Sequence, residues 1–119
     1  MTAGLSTLRP ASATLNRIGG APYFLDHDVI RNQFSIRVLN KRNTPAVFHL
    51  QFIHPPAGLI GIGADSDLVV PALGETMRPL VLTLPRASFT AEFPVVLRLV
   101  SAEGRTVLER TLPFVGPGR

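Results

Sequence analysis

The chain has no cysteine and no tryptophan among its 119 residues, and only one tyrosine. The missing thiols exclude disulfides, thiolate zinc sites, iron–sulfur ligation by this chain and cysteine nucleophiles. They leave the redox compartment open. Charge is sparse at 17%, and of the 12 basic residues all but Lys41 are arginine. These are scattered from Arg9 to Arg119, so no dense basic stripe marks a nucleic-acid footprint. The seven Phe and Tyr23 fall mostly at positions that read as inward, not in a row on which bases could stack. Long apolar runs are missing too. The best, Phe93–Leu97, is stopped by Arg98, far short of the ~20 residues a membrane helix needs. "MTAGLSTLRPASA" has neither the basic start nor the apolar centre of a signal peptide. If the domain works outside the cytoplasm, a segment outside this sequence must carry it there.

Hydrophobic residues make up 45%, alongside 11 prolines and 10 glycines. That composition describes a folded chain rich in turns and poor in uninterrupted helix. The length suits one domain, whose folding buries roughly two thirds of the unfolded surface. The Ser/Thr/Ala/Gly-rich start predicts a flexible leader or linker over residues 1–13 and a domain over 14–117. From Arg31 a period-two alternation sets in, with Phe34, Ile36 and Val38 on one face. It resumes at Phe48, Leu50 and Phe52. Between the two lies the polar knot "NKRNTP", which reads as the turn of a hairpin joining two antiparallel strands. Shorter strands are expected near Pro22–Leu25 and Leu59–Ile62, and a third run places Leu80, Leu82 and Leu84 together. Phe93–Val100 and Thr106–Phe114 form a closing hairpin around "SAEGR", where Gly104 can take positive φ. Short strands with one apolar face each predict an all-β, immunoglobulin-like antiparallel sandwich of about seven to eight strands, without a Cys–Trp–Cys signature.

Motifs that carry chemistry are few. His27 lies in the turn "DHD", His49 on the outward side of its strand, and His54 at an odd separation from His49. No close HxH pair occurs, so solvated or structural roles outweigh metal ligation. Asp65 and Asp67 in "GADSD" are spaced like the opening of a calcium loop, but the later ligands and the Gly at the sixth position are missing. No serine sits in a nucleophile elbow, and no carboxylate pair is set for acid–base work. "GLIGIGA" lacks the spacing of a phosphate cradle. No catalytic residue and no cofactor ligand is assigned to this chain.

"IRNQFSIRVLNKRNTPAVFHLQF" (Ile30–Phe52) resembles the C-terminal domain of the FixG/CcoG family of bacterial cytochrome oxidase accessory proteins. That family carries a segment of the form "(I)RNxYxhxhhNKxxxPxxFxLxh", h being apolar. Ile30, Arg31, Asn32, Phe34, Ile36, Val38, Leu39, Asn40, Lys41, Pro45, Phe48 and Leu50 fit it. The family's Tyr is Phe34 here. Upstream, Arg17 and Pro22 match a looser lead-in, and "FVGP" (Phe114–Pro117) is similar to the family's chain end. The resemblance implies the extracytoplasmic tail of a polytopic inner-membrane protein, tethered through preceding helices. It implies 4Fe–4S clusters in the preceding part only, and a parent engaged in building the cbb3-type oxidase and in copper reduction for it. Partners would be cbb3 subunits or copper-handling proteins, with no nucleic acid.

The matched residues have ordinary fold-making readings. Asn32 would cap a turn before its strand, and Asn40 would end it, tolerating left-handed backbone and bonding nearby amides. Pro45 would open the next strand without owing a ladder bond. Phe34, Phe48 and Phe52 would anchor the core. Lys41 and Arg42 are solvated turn residues that could also face anionic lipid or an acidic partner. Two alternatives stand beside an interaction domain. One is a direct copper relay through His27, His49 or His54. The other is a free-standing adhesin or carbohydrate-binding sandwich, for which Tyr23 is the one candidate platform aromatic.

Overall fold

In the computed structural model, residues 11–117 are described. They form nine strands: β1 (Ala11–Arg17), β2 (Phe24–Asp26), β3 (Val29–Asn40), β4 (Ala46–Ile53), β5 (Ile60–Ile62), β6 (Leu68–Val70), β7 (Glu75–Pro85), β8 (Phe93–Ser101) and β9 (Thr106–Phe114). One 3₁₀ turn, Arg86–Ser88, follows β7. The first sheet has the order β1-β3-β7-β5, with β2 also paired to β3; the second has the order β6-β4-β8-β9. All pairings are antiparallel. The protein is an all-β sandwich, with two more strands than the lower sequence expectation: β1 lies in the segment read largely as a leader, and β6 is only three residues long.

Strand β3 is the spine. Its inward side reads Ile30, Asn32, Phe34, Ile36, Val38, Asn40, and every one of these is buried. It pairs with β7 from Val29↔Pro85 to Leu39↔Glu75 and with β1 from Ala11↔Asn40 to Arg17↔Phe34. Leu80, Leu82 and Leu84 of β7 line up beside it on the same inner face. The second sheet answers with Phe48 and Leu50 of β4, Leu68 and Val70 of β6, Val95, Leu97 and Leu99 of β8, and Leu112 and Phe114 of β9. Alternation places these residues inward, and each buried Leu, Val or Phe contributes about 1.5–3 kcal/mol of transfer free energy. The hairpin at "SAEGR" is present, with Gly104 at φ 90° and Ser101 N–H donating to the Arg105 carbonyl at 2.8 Å.

Three expectations are corrected. The leader expected over residues 1–13 overlaps β1, which begins at Ala11; Ala11 is buried and Ala13 packs against the core. The remainder of that segment lies outside the described residues. Small residues suited to a linker also suit a strand that must lie close under its neighbours. "NKRNTP" is not a hairpin turn, because β3 belongs to one sheet and β4 to the other. The segment is an arch that carries the chain across the core. Period-two alternation says that each strand has one buried face, and it is silent on whether the two strands share a sheet. Asn32, finally, lies inside β3 and caps no turn.

Phe34 is 2% exposed at the centre of the spine. Replacing it with Ala is expected to cost about 3–5 kcal/mol. The measurement is the urea unfolding midpoint at unchanged slope; a loss below about 1 kcal/mol would show that the core does not depend on it.

Candidate functional site

Two buried asparagines on β3, Asn32 and Asn40, hold opposite ends of the sandwich. Eight residues of strand separate them, about 26 Å at ~3.3 Å per residue.

At the first end, Asn32 treats a distant backbone unit as a strand partner. Its Nδ2 donates to the Val115 carbonyl at 2.9 Å, and its Oδ1 accepts from the Val115 N–H at 3.0 Å. The same Oδ1 accepts from Arg17 at 3.0 Å. Arg17 also donates to the carbonyls of Pro22 and Pro113, and its guanidinium carbon lies 4.6 Å over the Phe34 ring. Burial lowers the Arg17 pKa from its ordinary value, with the charge of Glu92 opposing. Since β1 and β9 are edge strands of different sheets, the Arg17–Pro113 bond closes one side of the sandwich. Phe93 stacks on Phe114 at 5.1 Å, and Phe89 tilts against both. Gly116 lies so near Phe89 that a Cβ there would meet the ring at 2.8 Å. The lead-in, the central motif and the chain end, far apart in sequence, therefore meet in one cluster.

At the second end, Asn40 secures the arch. Its Oδ1 accepts from the Arg42 N–H at 3.0 Å, while Nδ2 faces the carbonyls of Thr44 at 2.7 Å and Pro71 at 3.2 Å. Asn40 bonds a neighbour's amide as expected, but it is not among the residues with left-handed backbone. That conformation falls to Leu73 (φ 54°), whose N–H donates to the Arg42 carbonyl at 2.9 Å. The arch, the turn after β6 and the β8–β9 hairpin thus share one end, where Ala11 pairs with Asn40. Lys41 and Arg42 are exposed there. Arg42 stands 4.0 Å from Glu103, a pair worth at most about 1 kcal/mol at the surface.

The three histidines are dispersed. His27 occupies the tight β2–β3 turn at φ 58°, and His54 follows β4 at φ 51°, outside any strand. His49 lies on β4 with its Nδ1 3.4 Å from Asp67. Among the described residues, no group of three or more His, Cys, Asp or Glu is placed to hold a metal ion. In "GADSD", Asp65 and Asp67 are exposed, and the loop carbonyls of Gly63, Ser66 and Asp67 accept from Arg78. Tyr23 is half-buried and packs against the core, so its ring offers no open platform.

Sequence reasoning missed the bridging roles of Arg17 and Arg78. The signal for Arg78 is an arginine at an inward position of β7, in register with Leu80 and Leu82. Among the motif residues, Pro45 precedes β4, and Phe34 and Phe48 are core anchors. Lys41 is exposed, and Arg31 lies half-buried on the outward side of β3, its Nε without a hydrogen-bond partner among the described residues.

Two antiparallel sheets packed in this way define an immunoglobulin-like β-sandwich domain. The chain belongs to the FixG C-terminal family: the family model described as "IG-like fold at C-terminal of FixG, putative oxidoreductase" matches residues 1–117. A crystal structure of a FixG-related protein from Vibrio parahaemolyticus superposes with a TM-score of 0.76 at 16% identity, covering 91% of this chain and 97% of that one. No curated protein matches the sequence.

Asn32→Ala is expected to destabilise the fold by about 2–3 kcal/mol, because it removes the partner of the Val115 N–H and carbonyl. Amide exchange at Val115 should rise selectively, whereas Lys41→Glu should stay within about 0.5 kcal/mol of the parent. Unchanged Val115 exchange in Asn32→Ala would refute the clip.

Proposed function

We propose that this chain is a non-catalytic interaction domain of a FixG-type membrane protein, on the outer face of the bacterial inner membrane. It docks cbb3-type oxidase subunits or copper-handling proteins during oxidase assembly. The observation that carries this reading is the family match over residues 1–117 to the C-terminal domain of a protein described as an oxidoreductase. A chain without cysteine supplies no thiolate to an iron–sulfur cluster, so the redox work belongs to other parts of such a protein.

Topology supports an orientation for the domain. The chain enters the sandwich at Ala11, beside Asn40 and the arch. A membrane anchor preceding residue 11 would bring Lys41 and Arg42 toward the lipid surface. Each basic residue near an anionic leaflet contributes about 1 kcal/mol of attraction. Lys41 makes no ion pair among the described residues, and Arg42 has only the long contact to Glu103.

Deleting residues 11–117 from the full-length membrane protein should abolish its co-purification with oxidase subunits while leaving its clusters in place. Retention of those subunits would sink the interaction reading. Lys41→Glu/Arg42→Glu in the full-length protein should weaken the association and make it less sensitive to salt. An unaltered salt dependence would remove the arch from the contact.

A further inference from the structure

Two segments carry the chain from one sheet to the other at the end where Ala11 pairs with Asn40. The first is the arch between β3 and β4. The second is the turn over residues 71–74, which leaves β6 of the second sheet and delivers the chain to β7 of the first. The Leu73 N–H ties the two together by donating to the Arg42 carbonyl at 2.9 Å, and the Gly74 N–H closes the turn on the Pro71 carbonyl at 3.1 Å.

Leu73 is the odd residue in this turn. It takes the third of four positions with φ 54°, a conformation that glycine adopts freely and leucine only at a cost. Glycine comes one position too late, at Gly74. The Leu73 side chain is 66% exposed, so the core gains little from it. Backbone strain kept without a packing return points to a use outside the fold. Four residues to either side, Val69 at 59% and Met77 at 63% leave the flanks of the crossing apolar as well.

Around this turn the end is basic. Lys41 and Arg42 are exposed in the arch, and Arg105 is exposed in the β8–β9 hairpin. Of the two carboxylates at this end, Glu75 is bonded to Arg37 at 2.8 Å, and Glu103 approaches Arg42 only to 4.0 Å. An acidic protein would satisfy the cations, but Leu73 needs apolar depth behind the negative charge. A leaflet of anionic lipid supplies both. β1 brings the preceding chain to the same end, so a tether there would hold these loops at such a surface.

We propose that the arch end is a lipid-contacting tip, in which Lys41, Arg42 and Arg105 meet the headgroups of an anionic leaflet and Leu73 enters the boundary between headgroups and acyl chains. The inference rests on the reading of a membrane-tethered domain and adds the residue that enters the lipid. Each cation brought to the leaflet is worth about fivefold in affinity, and burial of part of one leucine side chain a similar factor. Attraction of that size takes hold only when a tether raises the local concentration.

A chain without cysteine or tryptophan suits the test. The 119-residue chain carrying Thr2→Cys is coupled to a maleimide lipid, and Leu73→Trp supplies a single fluorophore. The vesicles are phosphatidylcholine alone, or phosphatidylcholine and phosphatidylglycerol at about three to one, each brominated on the acyl chains. On the anionic vesicles the Leu73→Trp emission should shift to the blue and fall at least about twofold. On neutral vesicles, and after Lys41→Glu/Arg42→Glu, most of that quenching should disappear. Ile60→Trp, at a position 59% exposed on β5, should be unaffected throughout. Leu73→Gly should unfold at the parent's urea midpoint or above it.

Equal quenching on the two kinds of vesicle, equal quenching at Ile60→Trp, or none at Leu73→Trp would each overturn the proposal. A lower midpoint for Leu73→Gly would do the same, by showing that the side chain serves the fold. Should Leu73→Trp not fold, Met77→Trp on the flank of the crossing reports in its place. A tip that stays out of the lipid, while oxidase subunits still co-purify in a salt-dependent way, would assign the arch to an acidic protein instead. Because the vesicles contain no other protein, the lipid test can fail while the oxidase association survives, and the reverse.

Discussion

The fold turns on a side-chain amide that behaves as backbone. Asn32 offers Val115 both a donor and an acceptor, as a peptide unit in a neighbouring strand would. The bond pair is part-buried, with Asn32 itself fully buried, so an unmatched amide there would cost about 1–3 kcal/mol for each group left alone. The arrangement is therefore strongly directional: only a chain end at one place and in one orientation satisfies it. Arg17 completes the requirement by filling the remaining capacity of Oδ1 and spanning to Pro113. Two sheets that attract each other through apolar surface alone could slide. This polar knot fixes their relative position at one end, and Asn40 does the same at the other by tying the arch to the turn after β6.

Much of the framework was legible because alternation is a direct imprint of a half-buried strand. β3, β4, β7, β8 and β9 all announce themselves through residues such as Phe34/Ile36/Val38 and Val95/Leu97/Leu99. Partnership between strands was not legible from that pattern. β3 and β4 are neighbours in sequence, and only the seam between sheets separates them, a fact stored in contacts distant along the chain. Asn32 was misread for a related reason. An asparagine beside a polar stretch suggests a turn, and the feature that overrides this is its parity with Ile30 and Phe34. β1 was hidden inside a composition that also suits linkers.

The candidate site was legible only in part. The arch was visible as a basic knot, and its exposure agrees with solvated turn residues. Arg31 entered as one more motif residue with a presumed fold-making role, and nothing in a one-dimensional pattern distinguishes an arginine that bonds to carbonyls from one that does not. Arg17 and Arg31 illustrate the point. Both sit half-buried on strands of the same sheet and pack near a phenylalanine ring, yet the Arg17 guanidinium donates three hydrogen bonds and the Arg31 Nε has no acceptor among the described residues.

Ala11, which opens β1, and Val115, which follows β9, lie at opposite ends of the sandwich, and β1 and β9 run in the same direction along its length. Tension applied between the two ends would load β1 against β3, and β9 against β8, parallel to the strands. Every rung of each ladder would then resist at once, and no rung could be opened ahead of the rest. The Asn32–Val115 clip lies last in the path on the β9 side. In mechanical terms the domain is a stiff link under shear.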